Sequence, residues 1–199
     1  MSPGTRAVVL KIGGSLWDHV SGILPLVQAS GRDLLIVPGG GQLADNVRRL
    51  ALPDEASHWM AILAMEYFGW YISSFGLVRT RTIRRPAGAE VLLPYAAMQD
   101  ADPLPHTWSV TSDTIAAWVA YQLDAELILL KSVDGIMRNG LLLPEVNGPV
   151  HADEVDDAFI PFLLSRGMSA RIVNGRVPER VRACLAGEPT AGTRIHPRL

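Results

Sequence analysis

Lys11-Ile12-Gly13-Gly14-Ser15 stands where an apolar run gives way to a helical pattern. Glycines at such a junction let the main chain approach a phosphate. The free N–H groups at the start of the next helix favour negative charge, and a lysine two residues earlier can lay an ammonium over the same oxygens. An ordinary glycine turn beside a surface lysine has the same spelling. No Gly-Lys-Ser/Thr follows four residues after a first glycine, and the third glycine of a dinucleotide fingerprint is missing. Pro38-Gly39-Gly40-Gly41 closes the next apolar run in the same manner. Three successive glycines cost conformational entropy, for which close approach to a ligand or unusual dihedral angles compensate, with a flexible hairpin as the alternative.

Three later stretches add side chains. Trp108-Ser109-Val110-Thr111-Ser112-Asp113 leads into a helix, and Asp113 reads either as its cap or as a carboxylate holding cationic groups around a transferring phosphoryl group. Lys131-Ser132-Val133-Asp134-Gly135-Ile136 follows a third apolar run and is first of all a turn. Arg171-Ile172-Val173-Asn174-Gly175 reads as a short strand and turn. The five histidines, His19, His58, His106, His151 and His196, show no paired ligand spacing, so no protein-built metal site is expected. Arg79, Arg81, Arg84 and Arg85 form either a solvated loop or an anion-collecting rim.

The elements that must position these groups alternate. Ala7–Ile12, Asp33–Val37 and Glu126–Leu130 are apolar on both faces, as central strands of a parallel sheet are. Leu16–Ala29, Gln42–Leu50, Ala56–Ser73, the stretch from Thr111 through Gln122 and the stretch from Val177 through Leu185 carry apolar residues at helical spacings. Pro178 suits a first helical turn. Pro94–Trp108, rich in proline and aspartate, reads as a loop or lid. The order predicts an α/β sandwich with right-handed crossovers. No linker divides residues 1–199, which are expected to form one domain.

Composition narrows the function classes. Apolar residues make up 48% and charged residues 19%, a balance that excludes a disordered chain. A net charge of −2 gives no bulk attraction for nucleic acid. Cys184 is the only cysteine, so no internal disulfide can form; within a helical stretch it reads as a buried thiol. No basic stretch followed by an apolar core marks a signal peptide, and no run is long enough to span a membrane, so a cytoplasmic location is expected.

The order Lys11-x-Gly13-Gly14-Ser15, Gly39-Gly40-Gly41, Ser112-Asp113, Val133-Asp134-Gly135-Ile136 resembles the amino acid kinase superfamily over nearly the whole chain. The resemblance implies a three-layer αβα sandwich with a mainly parallel central sheet. It also implies ATP, arriving with Mg²⁺, as phosphoryl donor to a small-molecule acceptor. Carried onto this chain, Lys11 and Asp113 would be catalytic. Gly13, Gly14, Ser15, Lys131, Val133, Asp134, Gly135 and Asn174 would border the nucleotide. Gly39, Gly40, Gly41, His58, Trp108 and Ser112 would face the acceptor. The acceptor part would be N-terminal, followed by a reduced nucleotide part, with a homo-oligomer paired through a helix near the triple glycine. Ala56–Ser73, too apolar for a fully solvated helix, would either serve that pairing or be buried in the monomer core. Ser57-His58, Trp108–Asp113 and Val173–Val181 resemble the branch that phosphorylates a furanmethyl monophosphate to its diphosphate in methanofuran biosynthesis.

Two positions depart from the superfamily's pattern. Its late Gly-Gly-Met-x-x-Lys is Arg166-Gly167-Met168-Ser169-Ala170-Arg171 here, which makes Arg171 the expected second phosphate clamp, although a planar guanidinium is not equivalent to an ammonium. Lys131-Ser132 stands where Thr-Asp is usual.

Overall fold

The computed structural model describes residues 6–198. The chain begins with β1 (Val8–Ile12), a 3₁₀ turn over Gly14–His19, α1 (Val20–Ala29), β2 (Leu34–Pro38), α2 (Gly41–Arg49) and α3 (Asp54–Ser73). Next come β3 (Val78–Thr80), β4 (Ala89–Leu92), α4 (Pro94–Ala101), α5 (Ser112–Gln122) and β5 (Glu126–Lys131). A small hairpin of β6 (Met137–Arg138) and β7 (Leu141–Leu142) precedes β8 (Glu145–Val146) and α6 (Phe159–Ser165). The last elements are β9 (Ala170–Asn174), α7 (Pro178–Ala186) and β10 (Thr193–Ile195).

Eight strands form one sheet in the order β3-β4-β2-β1-β5-β9-β10-β8. The six from β3 to β9 are parallel to their neighbours, and β10 runs antiparallel to β9. The three runs that are apolar on both faces occupy the middle of the sheet, where helices cover each side. Odd-numbered residues of β1, β2 and β5, such as Val9, Leu35 and Leu129, pack with Ile115 and Val119 of α5 and Phe159 and Leu163 of α6. Even-numbered ones, such as Leu10, Ile36 and Ile128, pack with Ile23 and Val27 of α1 and Val181 and Cys184 of α7. The result is the expected sandwich of helices, mostly parallel sheet and helices. α3 serves both layers, with Ile62 and Met65 in one core and Phe68 and Ile72 in the other.

One expectation needs correction and another holds. Pro94 opens α4 at a first-turn position that requires no N–H, so the supposed loop is helical as far as Ala101, where Asp102 ends it in the left-handed region at φ 36°. The arginine run keeps the solvated-loop reading, since Arg79 in β3 and Arg81, Arg84 and Arg85 before β4 are all exposed, and three of them find partners there. Arg84 meets the buried Glu90 at 2.7 Å, Arg79 lies 4.2 Å over the ring of Trp70, and Arg85 approaches Asp33 at 3.8 Å. Among the described residues no helix is long and apolar enough to cross a membrane.

Candidate active site

Strand parity decides which charged side chains meet. Lys11 shares the odd face of β1 with Val9, so its side chain points toward α5, and Lys131 does the same at the end of β5. Asp113 lies in the first turn of α5, directly above that edge. Its Oδ1 is 2.6 Å from Lys11 Nζ, and its Oδ2 accepts a hydrogen bond from Lys131 Nζ at 2.7 Å. Lys11 and Asp113 are buried, while Lys131 keeps some exposure. Burial pushes Lys11 down to about 8 despite the opposing pull of Asp113. Burial alone would raise Asp113, but the two ammoniums outweigh it and hold the acid at about 2. The three groups together carry one net positive charge, in a space that Asp45, Asp153, Glu154, Asp156 and Asp157 also line.

Asp113 is therefore no helix cap. The residue that satisfies the start of α5 is Asp156, which lies far along the chain and which the sequence reading did not single out. Its Oδ2 accepts from Thr111 N at 2.8 Å, Thr111 Oγ1 at 2.9 Å and Thr114 N at 3.0 Å, and its Oδ1 accepts from Thr114 Oγ1. Burial, and then the nearby charge of Asp113, raises its pKa. A carboxylate contributed by a distant segment leaves no local signal, since capping patterns are read over three or four residues.

The glycines bring two strand ends into contact. A Cβ on Gly14 would lie 2.2 Å from Gly41 N, and Gly41 itself has φ +54°, so neither position tolerates a side chain. The N–H groups of Gly13 and Gly39 are already spent, on the carbonyls of Leu130 and Ile12. Those of Gly40 and Gly41 lie at the N-terminus of α2, where helical donors lack internal partners. Ser15 Oγ and Ser132 Oγ meet at 3.0 Å, which links the turns after β1 and β5.

Beside the triple glycine is a cavity of about 150 Å³, whose walls include Gly40, Gly41, Arg48, His58, Trp108 and Ser112. Arg48, which the sequence reading missed, places its guanidinium 4.5 Å over the ring of Trp108. His58 stacks on His106 at 4.1 Å, and burial followed by that neighbour lowers it to about 4, so it is neutral at pH 7. His58, Asp102 and His106 hold their ligand atoms within 4.8 Å of one another, although the sequence shows these histidines unpaired. A second space, of about 450 Å³, contains Asp113 and Lys131 and shares Asp45, Arg48, Trp108 and Thr111 with the first.

Not every expected residue comes here. Asp134 Oδ1 is held by Asn174 Nδ2 at 2.8 Å and by Arg180 at 2.5 Å, which fixes the turn containing Val133 and Gly135. Arg171 lies on the opposite face of the sheet. It is paired with Ile128 in register, and its guanidinium donates to Glu126 Oε1 at 2.8 Å and to the Cys184 carbonyl at 2.9 Å. Ala170 and Ile172, its neighbours along β9, pack on the α5 side, so alternation sends Arg171 to the α7 side. The structure thus does not bring Arg171 to the Lys11–Asp113 pair.

The chain belongs to the amino acid kinase family and is a small-molecule kinase. The family's model matches residues 78–158, and one relative aligns over almost the entire chain. That relative is [5-(aminomethyl)furan-3-yl]methyl phosphate kinase of Methanocaldococcus jannaschii, 31% identical over 94% of this chain and 96% of its own. Acetylglutamate kinase of Actinobacillus succinogenes is 25% identical over 96% and 100%, respectively. In fold, the chain resembles an isopentenyl phosphate kinase (TM-score 0.69, 16% identity, 96% and 100% covered) and UMP kinase from Bacillus anthracis (0.71, 14%, 98% and 97%).

Proposed function

We propose that this kinase transfers the γ-phosphoryl group of ATP to a small-molecule monophosphate, with aminomethylfuran-methyl phosphate as the acceptor. The observation that carries this reading is the junction of the two spaces at Arg48, Trp108 and Thr111. One side is a small cavity with a flat aromatic wall and phosphate donors; the other is lined by Asp113 and Lys131, with the buried Lys11 held against Asp113. The similarity to the Methanocaldococcus jannaschii enzyme supports this choice of acceptor.

In this reading Trp108 offers a face to the planar furan, while Arg48 and the Gly40 and Gly41 N–H groups take the acceptor phosphate. An acceptor oxygen attacks the γ-phosphorus, a new P–O bond forms, and the β,γ-bridging bond breaks with its electron pair left on ADP. A phosphate monoester has lost its second proton above about pH 6, so the nucleophile is already anionic and needs no general base. Catalysis is then a matter of positioning and charge neutralisation. Lys11 neutralises the transferring group, and Asp113 holds Lys11 in place and in its charged form. Mg²⁺ bound with ATP would add further neutralisation. Asp153 and Glu154 line the same space and offer the oxygen donors that ion prefers, while phosphates and water supply the rest.

We also read the exposed residues Met60, Leu63, Tyr67 and Trp70, spaced along one side of α3, as the face that a second copy of the chain covers.

The test is initial rate at matched concentration, with ATP and Mg²⁺ saturating, for aminomethylfuran-methyl phosphate, isopentenyl phosphate, UMP, aspartate and acetylglutamate. The furan phosphate is expected to react fastest. Preference for another acceptor would remove the assigned substrate and leave the kinase, and no turnover of any would remove the reaction.

A further inference from the structure

Lys11, Asp113 and Lys131 form a chain of opposite charges, yet the mechanism above uses only one of the two ammoniums. Lys131 Nζ lies 2.7 Å from Asp113 Oδ2, as Lys11 Nζ lies 2.6 Å from Oδ1. The two cations therefore flank one carboxylate on the same face of the sheet, at the ends of adjacent strands. They differ in access. The Lys11 side chain is 4% exposed and that of Lys131 is 17% exposed, and Lys131 lines the open space beside Arg48 while Lys11 reaches it only through Asp113. Asp113 is the one carboxylate that both ammoniums touch, since the nearby Asp156 is taken up by Thr111 and Thr114 at the start of α5, and two ammoniums held against one group are placed to grip a shared anion from either side. Arg171, the other basic residue expected to clamp phosphate, is engaged on the far face of the sheet by Glu126 and the Cys184 carbonyl.

We propose that Lys131 is the second catalytic cation of this kinase: it contacts the transferring phosphoryl group from the side opposite Lys11, with Asp113 spacing the two ammoniums. This assignment rests on the phosphotransfer reading above and gives the residue after the third apolar run a part in the reaction, beyond bordering a nucleotide. The bond changes are those already stated. Lys131 exchanges no proton and acts by its charge on the oxygens that become more negative as the bridging bond lengthens.

Lys131→Gln keeps a hydrogen-bonding partner for Asp113 and removes the charge; Lys131→Arg keeps the charge. The Gln variant is expected to lose about 10²–10³-fold in kcat, with a much smaller change in KM for the acceptor and a thermal midpoint close to that of the parent. The Arg variant should recover part of the loss. Two further readouts separate catalysis from mere structure. ADP with aluminium fluoride and acceptor, a mimic of the transferring state, should bind Lys131→Gln far more weakly than it binds the parent, while ADP alone binds nearly as before. The charge of Lys131 also depresses Lys11, which faces Asp113, Asp156 and Lys131, so the alkaline limb of the residual kcat/KM should move to higher pH in Lys131→Gln. Near-parental kcat in Lys131→Gln, or equal weakening of ADP and of the mimic, would overturn the assignment. A parent protein that turns over no acceptor overturns the phosphotransfer reading and this one with it, whereas an active parent with an active Gln variant overturns this one alone.

Discussion

At the scale of single residues, the environment of Lys11 makes the reaction pH-sensitive in a defined direction. Its pKa of about 8 lies below the ordinary 10.5, chiefly because the ammonium is buried. The proposed mechanism needs the charged form, so kcat/KM should fall above about pH 8, and a pH profile of the purified protein checks this. The fold does not weaken through Lys11 in that window. Between about 8 and 10.5 the unfolded chain holds a proton that the folded chain has lost, so raising the pH favours the folded state as far as this group is concerned. Circular dichroism recorded alongside the rates should therefore stay unchanged where activity declines. Arg171 offers the contrasting case. Together with Arg32 it binds Glu126, and the two guanidiniums reach the Cys184 and Leu185 carbonyls in the last turn of α7. Arg171→Ala should lower stability by about 1–2 kcal/mol, measured by denaturant titration, and leave kcat per folded molecule within a few-fold.

Secondary-structure elements show what could be read in advance and what could not. The central strands and the helices that follow them announce themselves through unbroken apolar runs ended by glycine, and these same ends carry Lys11, the glycines and Lys131. Lys131 entered the sequence reading only through the family resemblance, as a residue bordering a nucleotide; that it meets Asp113 required the register between β1 and β5. Strand β4 escaped notice because Glu90 interrupts its pattern, and the ion pair with Arg84 together with a hydrogen bond from Ala87 N makes that carboxylate tolerable in the interior. Helix α5 depends on Asp156, a contact made by tertiary folding alone. Asp156→Ala should free the start of α5, lower the melting temperature by several degrees and reduce kcat about tenfold as Asp113 loosens. Asp156→Asn should restore most of both, because an amide oxygen can still accept from Thr111 and Thr114. If Asn proved as poor as Ala, the negative charge rather than the hydrogen bonds would be what matters.

The whole molecule presents a surface that one copy leaves open. Met60, Leu63, Tyr67 and Trp70 are between 37% and 59% exposed along a single 20-residue helix, whereas the residues on its other sides enter both cores. If a second copy covers that stripe, sedimentation at micromolar concentration should show a dimer, and Leu63→Glu combined with Tyr67→Glu should yield a monomer that still folds. A parent that sediments strictly as a monomer would mean the stripe meets water or another partner. The division of the sheet into two faces has a consequence of its own. Lys11, Lys131 and Asp113 lie on the α5 side, and the Arg32–Glu126–Arg171 clamp lies on the α7 side, with a layer of main chain between them. Selection for heat resistance and selection for a new acceptor would then draw on separate sets of positions, so a lineage could harden one face while it experiments on the other.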